Sequence, residues 1–351
     1  MNKNHKEFSI DNNKTLIDAL ELMDNSGYKL LIVIDDNKFY SLISIGDIQR
    51  AIVNGSPLDS CLMSHLRENI KFARTNDDEQ FIVDLMTKYR MDFCPVINSK
   101  NELEKVIFWD DITREKPVFK NNKIDLPVVI MAGGKGTRLK PLTNIIPKPM
   151  VPFGDKSMIN VIIDRFMDNG CKDFYISGNY MFDLLKLHIK QLNLPVNIDI
   201  VKEIKPTGTG GSLALFKNKI KKTFIVSNCD ILINDEYHKF VEYHKENKNE
   251  ITIISSIKTY NIPYGTIDTT SKGQLKSISE KPRLNYQINT GFYILEPSVI
   301  DLVPEEKFIH ITDIIELIKK NGGRVGVFPV SEKSWKDIGE WDLFLDQSSF
   351  K

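Results

Sequence analysis

The stretch "VVIMAGGKGTRLKPLTNIIPKP", Val128 to Pro149, sets a short apolar run against a loop dense in glycine and positive charge. A brief, wholly apolar run that ends in glycine reads as a buried strand of a parallel sheet opening into a loop. Downstream, "DFYIS" (173–177), "NIDIV" (197–201), "TFIVS" (223–227) and "ITIIS" (251–255) alternate with amphipathic stretches, including helices expected around 157–169 and 181–192. This alternation predicts an α/β domain with a mostly parallel, doubly wound, Rossmann-like sheet. Ligands of such sheets lie beyond the carboxyl ends of the strands, where the glycine loop begins.

Three readings of the loop compete. A Walker A loop requires G-x-x-x-x-G-K-[ST], but Lys135 here precedes Gly136 and Thr137. A dinucleotide fingerprint requires a third glycine where Leu139 stands. The third reading is a phosphate cradle, in which Gly133, Gly134 and Gly136 let backbone N–H groups approach oxyanions while Arg138 and Lys148 supply full charges. An ordinary strand-to-helix turn seldom needs so many glycines and cations together.

At 351 residues and 41% apolar content, the chain has enough material for two cores. Lys plus Arg and Asp plus Glu each number 47, so no bulk field favours nucleic acid or anionic lipid. Cys61, Cys94, Cys171 and Cys229 are scattered without C-x-x-C spacing, which argues against a zinc site and a disulfide framework. No apolar leader or membrane-length apolar run is present, and a cytoplasmic location is expected.

Ahead of the strand–loop unit the sequence repeats. Residues 19–35, "ALELMDNSGYKLLIVID", overlay residues 82–98, "IVDLMTKYRMDFCPVIN", at an offset of 63. "LISIGDIQR" (42–50) then falls on "VIFWDDITR" (106–114). Each unit reads as a helix, a buried strand, a turn, a second strand and a second helix, and is too small to bury its own apolar faces. The pair resembles a tandem cystathionine-β-synthase-type (CBS) module over residues 1–117, with a polar linker at 118–127. In that family an S/T-x-x-D pattern contacts an adenosine nucleotide. Ser44 and Asp47 match it, whereas Phe108-Trp109-Asp110-Asp111 keeps the acid and loses the hydroxyl. Nucleotide sensing and a purely dimerising or docking role both stay open, and a homodimer or higher homo-oligomer is expected.

"GGKGTRLKPLT" with "PKPM" closely resembles the signature of the sugar-1-phosphate nucleotidylyltransferases. The resemblance extends over residues 128–345, nearly all of a transferase domain expected at 128–351, through "VSNCDILI", "SEKPR", "INTGFYILEP" and "WKDIGEWDLF". It implies Mg²⁺ held by Asp230 and Asp337, and a catalytic set of Arg138, Lys148, Asp230 and Asp337. It also implies nucleotide contacts from Gly133, Gly134, Gly136, Thr137, Glu203 and Gly208. Sugar-phosphate contacts would come from Glu280, Lys281, Asn289, Thr290 and Gly291, with Asn179 and Tyr180 as further pocket positions. No general base is needed, because a sugar phosphate is already ionised.

Glu203, at the edge of the family's base-reading loop, can only accept hydrogen bonds when ionised. Guanine offers two adjacent donors, whereas uracil and thymine offer one between carbonyls, so Glu203 favours GTP over UTP or dTTP. A CBS pair ahead of a compact transferase domain resembles the guanylyltransferases of bacterial legionaminic acid synthesis, which implies glucosamine 1-phosphate as acceptor. Mannose or heptose 1-phosphate, a UTP- or dTTP-dependent glucose 1-phosphate enzyme, and a non-catalytic nucleotide sensor are the alternatives. Few residues follow Asp337, so no additional acyltransferase domain is expected.

Overall fold

The computed structural model describes residues 5–36, 38–89, 91–108 and 123–339. The chain separates into two compact units, Met1–Lys120 and Asn121–Lys351. No helix among the described residues is long and apolar enough to cross a membrane.

The first unit contains β1 (Ser9–Asp11), α1 (Leu16–Ser26), β2 (Leu30–Asp35), β3 (Lys38–Ser44) and α2 (Ile45–Val53), then β4 (Ala73–Arg74), α3 (Glu79–Tyr89), β5 (Phe93–Ile97) and β6 (Leu103–Phe108). In both halves a short leading strand pairs parallel with the next strand, which pairs antiparallel with the third. Thr15 caps α1 through Asp18, and Gly27 ends it at φ +77°, a left-handed conformation that glycine adopts without strain. The two halves meet through an aromatic cluster of Phe8, Tyr28, Phe93 and Phe108. Lys29 N–H donates to Asp92 Oδ2 at 3.1 Å, joining positions separated by the 63-residue period itself. Trp109, Asp110 and Asp111 lie outside the described residues.

In the second unit β7 (Val128–Met131) leads into the glycine loop, and a small ladder of β8 (Pro152–Phe153) and β9 (Lys156–Ser157) precedes α4 (Met158–Asp168). There follow β10 (Asp173–Gly178), α5 (Phe182–Gln191), β11 (Asn197–Lys202), α6 (Gly208–Gly211), β12 (Phe224–Asn228), β13 (Ile231–Ile233) and α7 (Tyr237–Glu246). The remainder is β14 (Ile251–Asn261), β15 (Thr266–Thr269), β16 (Leu275–Ser279), β17 (Arg283–Leu295), α8 (Ser298–Asp301), α9 (Ile311–Lys320), β18 (Val325–Val330) and β19 (Trp335–Asp337).

Seven strands form one sheet in the order β11-β10-β7-β12-β17-β14-β18. Only β17 runs against its neighbours, so the mostly parallel reading holds with one reversed strand. Alternation along β7 sends Val128 and Ile130 into one core with Phe166, Phe174 and Phe292, and Val129 and Met131 into the other with Phe216, Tyr293 and Ile314. Both faces are therefore covered, as a parallel sheet demands.

The expected linker needs correction at its C-terminal end. Ile124 and Leu126 are buried in the core of the second unit, and Ile124 N–H bonds Asn169 O at 2.8 Å. Two apolar residues in a short polar segment give too little periodicity to be read from sequence. Residues 118–122 lie outside the described residues.

Candidate active site

Asp230 lies two residues beyond the end of β12, and Asp337 ends β19. The antiparallel ladder of β13 and β19 sets Ile231 opposite Asp337, which fixes the two carboxylates side by side. Arg138, in a one-turn 3-10 helix of the glycine loop, spans both: its guanidinium donates to Asp337 Oδ2 at 2.9 Å and to Asp230 Oδ2 at 3.5 Å. The Lys148 ammonium pairs with Asp230 Oδ2 and is almost fully buried. Two carboxylates and two cations thus neutralise one another. Burial pushes the Asp230 carboxyl above the usual carboxylate range against the pull of Lys148, and the charge of Asp337 adds to the rise.

Glycine is required in this loop for identifiable contacts. Gly136 has φ +63°, and a Cβ there would stand 2.8 Å from Lys148 Cβ and 2.9 Å from Thr143 Cγ2. Its absence lets Lys148 reach Asp230. A Cβ on Gly133 would lie 2.6 Å from Glu203 Oε1, so the Glu203 carboxylate packs directly on the glycine loop. Gly134 meets nothing that a Cβ would strike. Thr137 begins the short turn that carries Arg138.

Glu203 is buried, and Thr207 donates to its Oε2 from both N–H, at 3.4 Å, and hydroxyl, at 3.2 Å. Sequence reasoning did not single out Thr207, whose hydroxyl four residues after a glutamate was the available signal. At Gly208, with φ +79°, a Cβ would stand 2.6 Å from Ile309 O, so close packing on the chain itself requires glycine there. Asn179 and Tyr180 brace loops, Asn179 Nδ2 bonding Glu203 O at 2.9 Å and Tyr180 Oη bonding Thr143 O at 3.0 Å.

The expected sugar positions divide. Gly291, at φ +83°, lies where β17 passes Asn228, and a Cβ would stand 2.5 Å from Asn228 Nδ2. Asn289 Oδ1 accepts from Gly291 N–H at 3.1 Å. Thr290 is buried, and its hydroxyl donates to Ile254 O at 2.6 Å and accepts from Phe292 N–H, which commits that hydroxyl to the irregularity in β14. Glu280 and Lys281 are exposed on an arm beyond β17, and no described contact joins them to the four-charge cluster. The Glu280 carboxylate sits beside Gly265 instead.

Cys229, next to Asp230, is no nucleophile, because burial pushes its thiol up to about 12. No group of three or more His, Cys, Asp and Glu side chains suited to a metal occurs among the described residues. The Asp230–Asp337 pair nevertheless fits Mg²⁺, a hard cation that accepts two carboxylates and completes its shell with phosphate oxygens and water.

In the first unit Ser44 and Asp47 come together, but mainly for each other. Asp47 Oδ2 accepts from Ser44 N–H at 2.9 Å and Ser44 Oγ at 2.6 Å, capping α2, while Oδ1 pairs with Arg50 and Arg67. Beside them a cavity of about 400 Å³ is lined by Asp47, Arg50, Ala51, Asn54, His65 and Arg67. The carboxylate of that nucleotide-contacting pattern is occupied by two guanidinium groups.

A CBS domain family model matches residues 2–54. A mannose-1-phosphate guanyltransferase of Yarrowia lipolytica is 37% identical over 62% of this chain and 61% of its own length. Its counterpart in Saccharomyces cerevisiae is 35% identical over 62% of each chain, so this chain spans about three-fifths of these relatives. Among solved structures, HddC from Yersinia pseudotuberculosis superposes with a TM-score of 0.52 at 29% identity, over 64% of this chain and all of that one. The same protein complexed with GMP-PN gives 0.51 at 28%, again over 64% of this chain and all of that one. The nucleotidyl transferase family model matches residues 127–351, and on that match, with the loop and carboxylate ladder it encloses, the chain belongs to the nucleotidyl transferase family of enzymes.

Proposed function

We propose that the chain transfers GMP from GTP to a sugar 1-phosphate, releasing pyrophosphate. The observation that carries this reading is the cluster of Arg138, Lys148, Asp230 and Asp337 beside a glycine cradle against which Glu203 is packed. A phosphate oxygen of the sugar 1-phosphate attacks the α-phosphorus. The bond to the bridging oxygen breaks, and pyrophosphate departs with its electron pair. Arg138 and Lys148 are placed to give up carboxylate partners for phosphate oxygens, neutralising charge as it gathers on the leaving group. Asp230 and Asp337 would hold Mg²⁺, which would supply positive charge to offset that of the phosphates. Glu203, oriented by Thr207, accepts from guanine N1–H and the N2 amino group. Lys281 and Glu280 would serve the sugar phosphate and sugar hydroxyls if the arm brings them over the bound acceptor.

For the acceptor, glucosamine 1-phosphate follows from the CBS-plus-transferase arrangement, and mannose 1-phosphate is the second reading, favoured by the names of the fungal relatives. Pyrophosphate release across nucleoside triphosphates and glucosamine, mannose, glucose, heptose and N-acetylglucosamine 1-phosphates tests both. A productive GTP column is expected, with its best row naming the sugar, and silence across the grid would overturn the reading. Glu203→Gln should lower kcat/KM for GTP by roughly 10- to 100-fold and raise use of UTP, since an amide offers both donor and acceptor. Unchanged GTP preference would remove Glu203 from base recognition.

We further propose that the first unit binds an adenosine nucleotide, its phosphates meeting Arg50 and Arg67. Calorimetry with AMP, ADP and ATP is the test. Arg67→Ala should abolish the heat, and no heat from the unaltered protein would leave only a structural role.

A further inference from the structure

The turn that follows β19 closes the four-charge cluster from one side. Ile338 is fully buried in the core of the second unit and its N–H bonds Asp230 O at 2.9 Å, which holds the turn against the carboxylates. Gly339 comes next and is itself buried. Its N–H donates to Asp337 Oδ1 at 3.0 Å, leaving Oδ2 of the same carboxylate to accept from Arg138 at 2.9 Å. A Cβ on Gly339 would stand 2.7 Å from Asp230 Oδ2 and 2.6 Å from Lys148 Cε, and closer still to Lys148 Nζ. Two glycines thus bracket the Lys148 side chain, Gly136 against its Cβ and Gly339 against its ammonium end.

The two differ in cause. Gly136 has the left-handed φ of +63° that favours glycine, whereas Gly339 lies outside that region. At an ordinary φ, alanine in place of glycine stabilises a fold by restricting the unfolded chain. Backbone preference therefore gives no reason for glycine at 339, and the space taken by Lys148 and Asp230 does.

We propose that Gly339 is a positioning residue of the transfer site: its N–H orients the Asp337 carboxylate, and its bare α-carbon leaves room for the Lys148 ammonium beside Asp230. A side chain at 339 turns that ammonium out, and a phosphate oxygen arriving there meets no charge. The consequence for catalysis rests on the transfer reading above, whereas the placement of Lys148 can be measured without it.

Amine acetylation of the full chain without substrate, read by peptide mass spectrometry, tests the placement. In the unaltered protein Lys148, almost fully buried, should react far more slowly than the exposed lysines. Gly339→Ala should raise its rate at least ~10-fold, while Cys171, buried just ahead of β10, stays closed to thiol reagents. Pyrophosphate release tests the consequence. Gly339→Ala should lower kcat about 100-fold, and adding it to Lys148→Ala should cost no further loss, because both remove the same ammonium. A glycine needed for folding alone would multiply with the lysine change instead. Lys148 still protected in Gly339→Ala, or an unchanged kcat, would overturn the proposal. Should Gly339→Ala lose its fold, adding Lys148→Ala should restore it by clearing the space, and failure to do so counts equally against the proposal. An unaltered chain silent with every substrate pair would overturn the transfer reading, and the labelling would still decide what Gly339 holds.

Discussion

Asp47 in the first unit and Asp230 in the second are both buried carboxylates held by two cations, yet they are built for different ends. Asp47 also caps a helix, accepting from Ser44 N–H and hydroxyl, and its arginine partners are half exposed. The Asp230 side chain caps no helix, and its principal partners are Lys148 and Arg138, each on the glycine loop. A carboxylate tied to backbone is part of the fold. One tied to side-chain cations can change partners when a phosphate arrives, which is what a transfer site requires.

The sharpest way to break this comparison is Asp230→Asn. Turnover should fall at least about 100-fold, while the thermal midpoint moves by only a few degrees because the amide oxygen still accepts from Lys148. Unfolding of that variant would make Asp230 a structural residue like Asp47. The converse is Asp47→Ala, expected to cost about 1–2 kcal/mol in urea denaturation through loss of the α2 cap, with transferase activity retained below the transition. A smaller effect comes from a buried polar chain that contains no such cation pair. His244 lies between Thr252 Oγ1, at 2.8 Å, and Glu296 Oε1, at 3.0 Å, and burial lowers its pKa from the ordinary 6.5. Below pH 6.5 the unfolded chain takes up a proton that the folded chain refuses. Stability should therefore be full above 6.5 and fall as pH drops, by at most about 1.4 kcal/mol per unit. Urea midpoints at pH 7.5 and 5.5 measure the slope, and His244→Gln should remove that share of it.

The comparison also shows what a sequence can carry. The repeat was legible because Met23 and Met86, both buried, occupy equivalent helical positions, and because the apolar strands recur in register. The parallel sheet was legible from alternating runs, whereas the reversal of β17 was not, since strand direction leaves no mark on apolar pattern. Charged residues such as Arg138, Lys148, Asp230 and Asp337 stood out because their chemistry is local to each side chain, and the structure adds their mutual pairing. The packing of Thr290 and Gly208 was not legible for the opposite reason: it depends on the neighbours Ile254 and Ile309, which only the folded chain supplies. The exposed arm was invisible, because Ile267, Leu275 and Ile278 look like core residues until their faces are seen uncovered.

The β13–β19 ladder has a consequence in time as well as space. It joins segments more than a hundred residues apart, and closing so long a loop is slow beside the local pairing of neighbouring helices and turns. Until β19 docks, Asp230 has a neighbour in Lys148 but not in Asp337. During refolding, the far-ultraviolet signal should therefore return before activity does, and the lag between them is the lifetime of a chain that has its sheet but not its carboxylate pair.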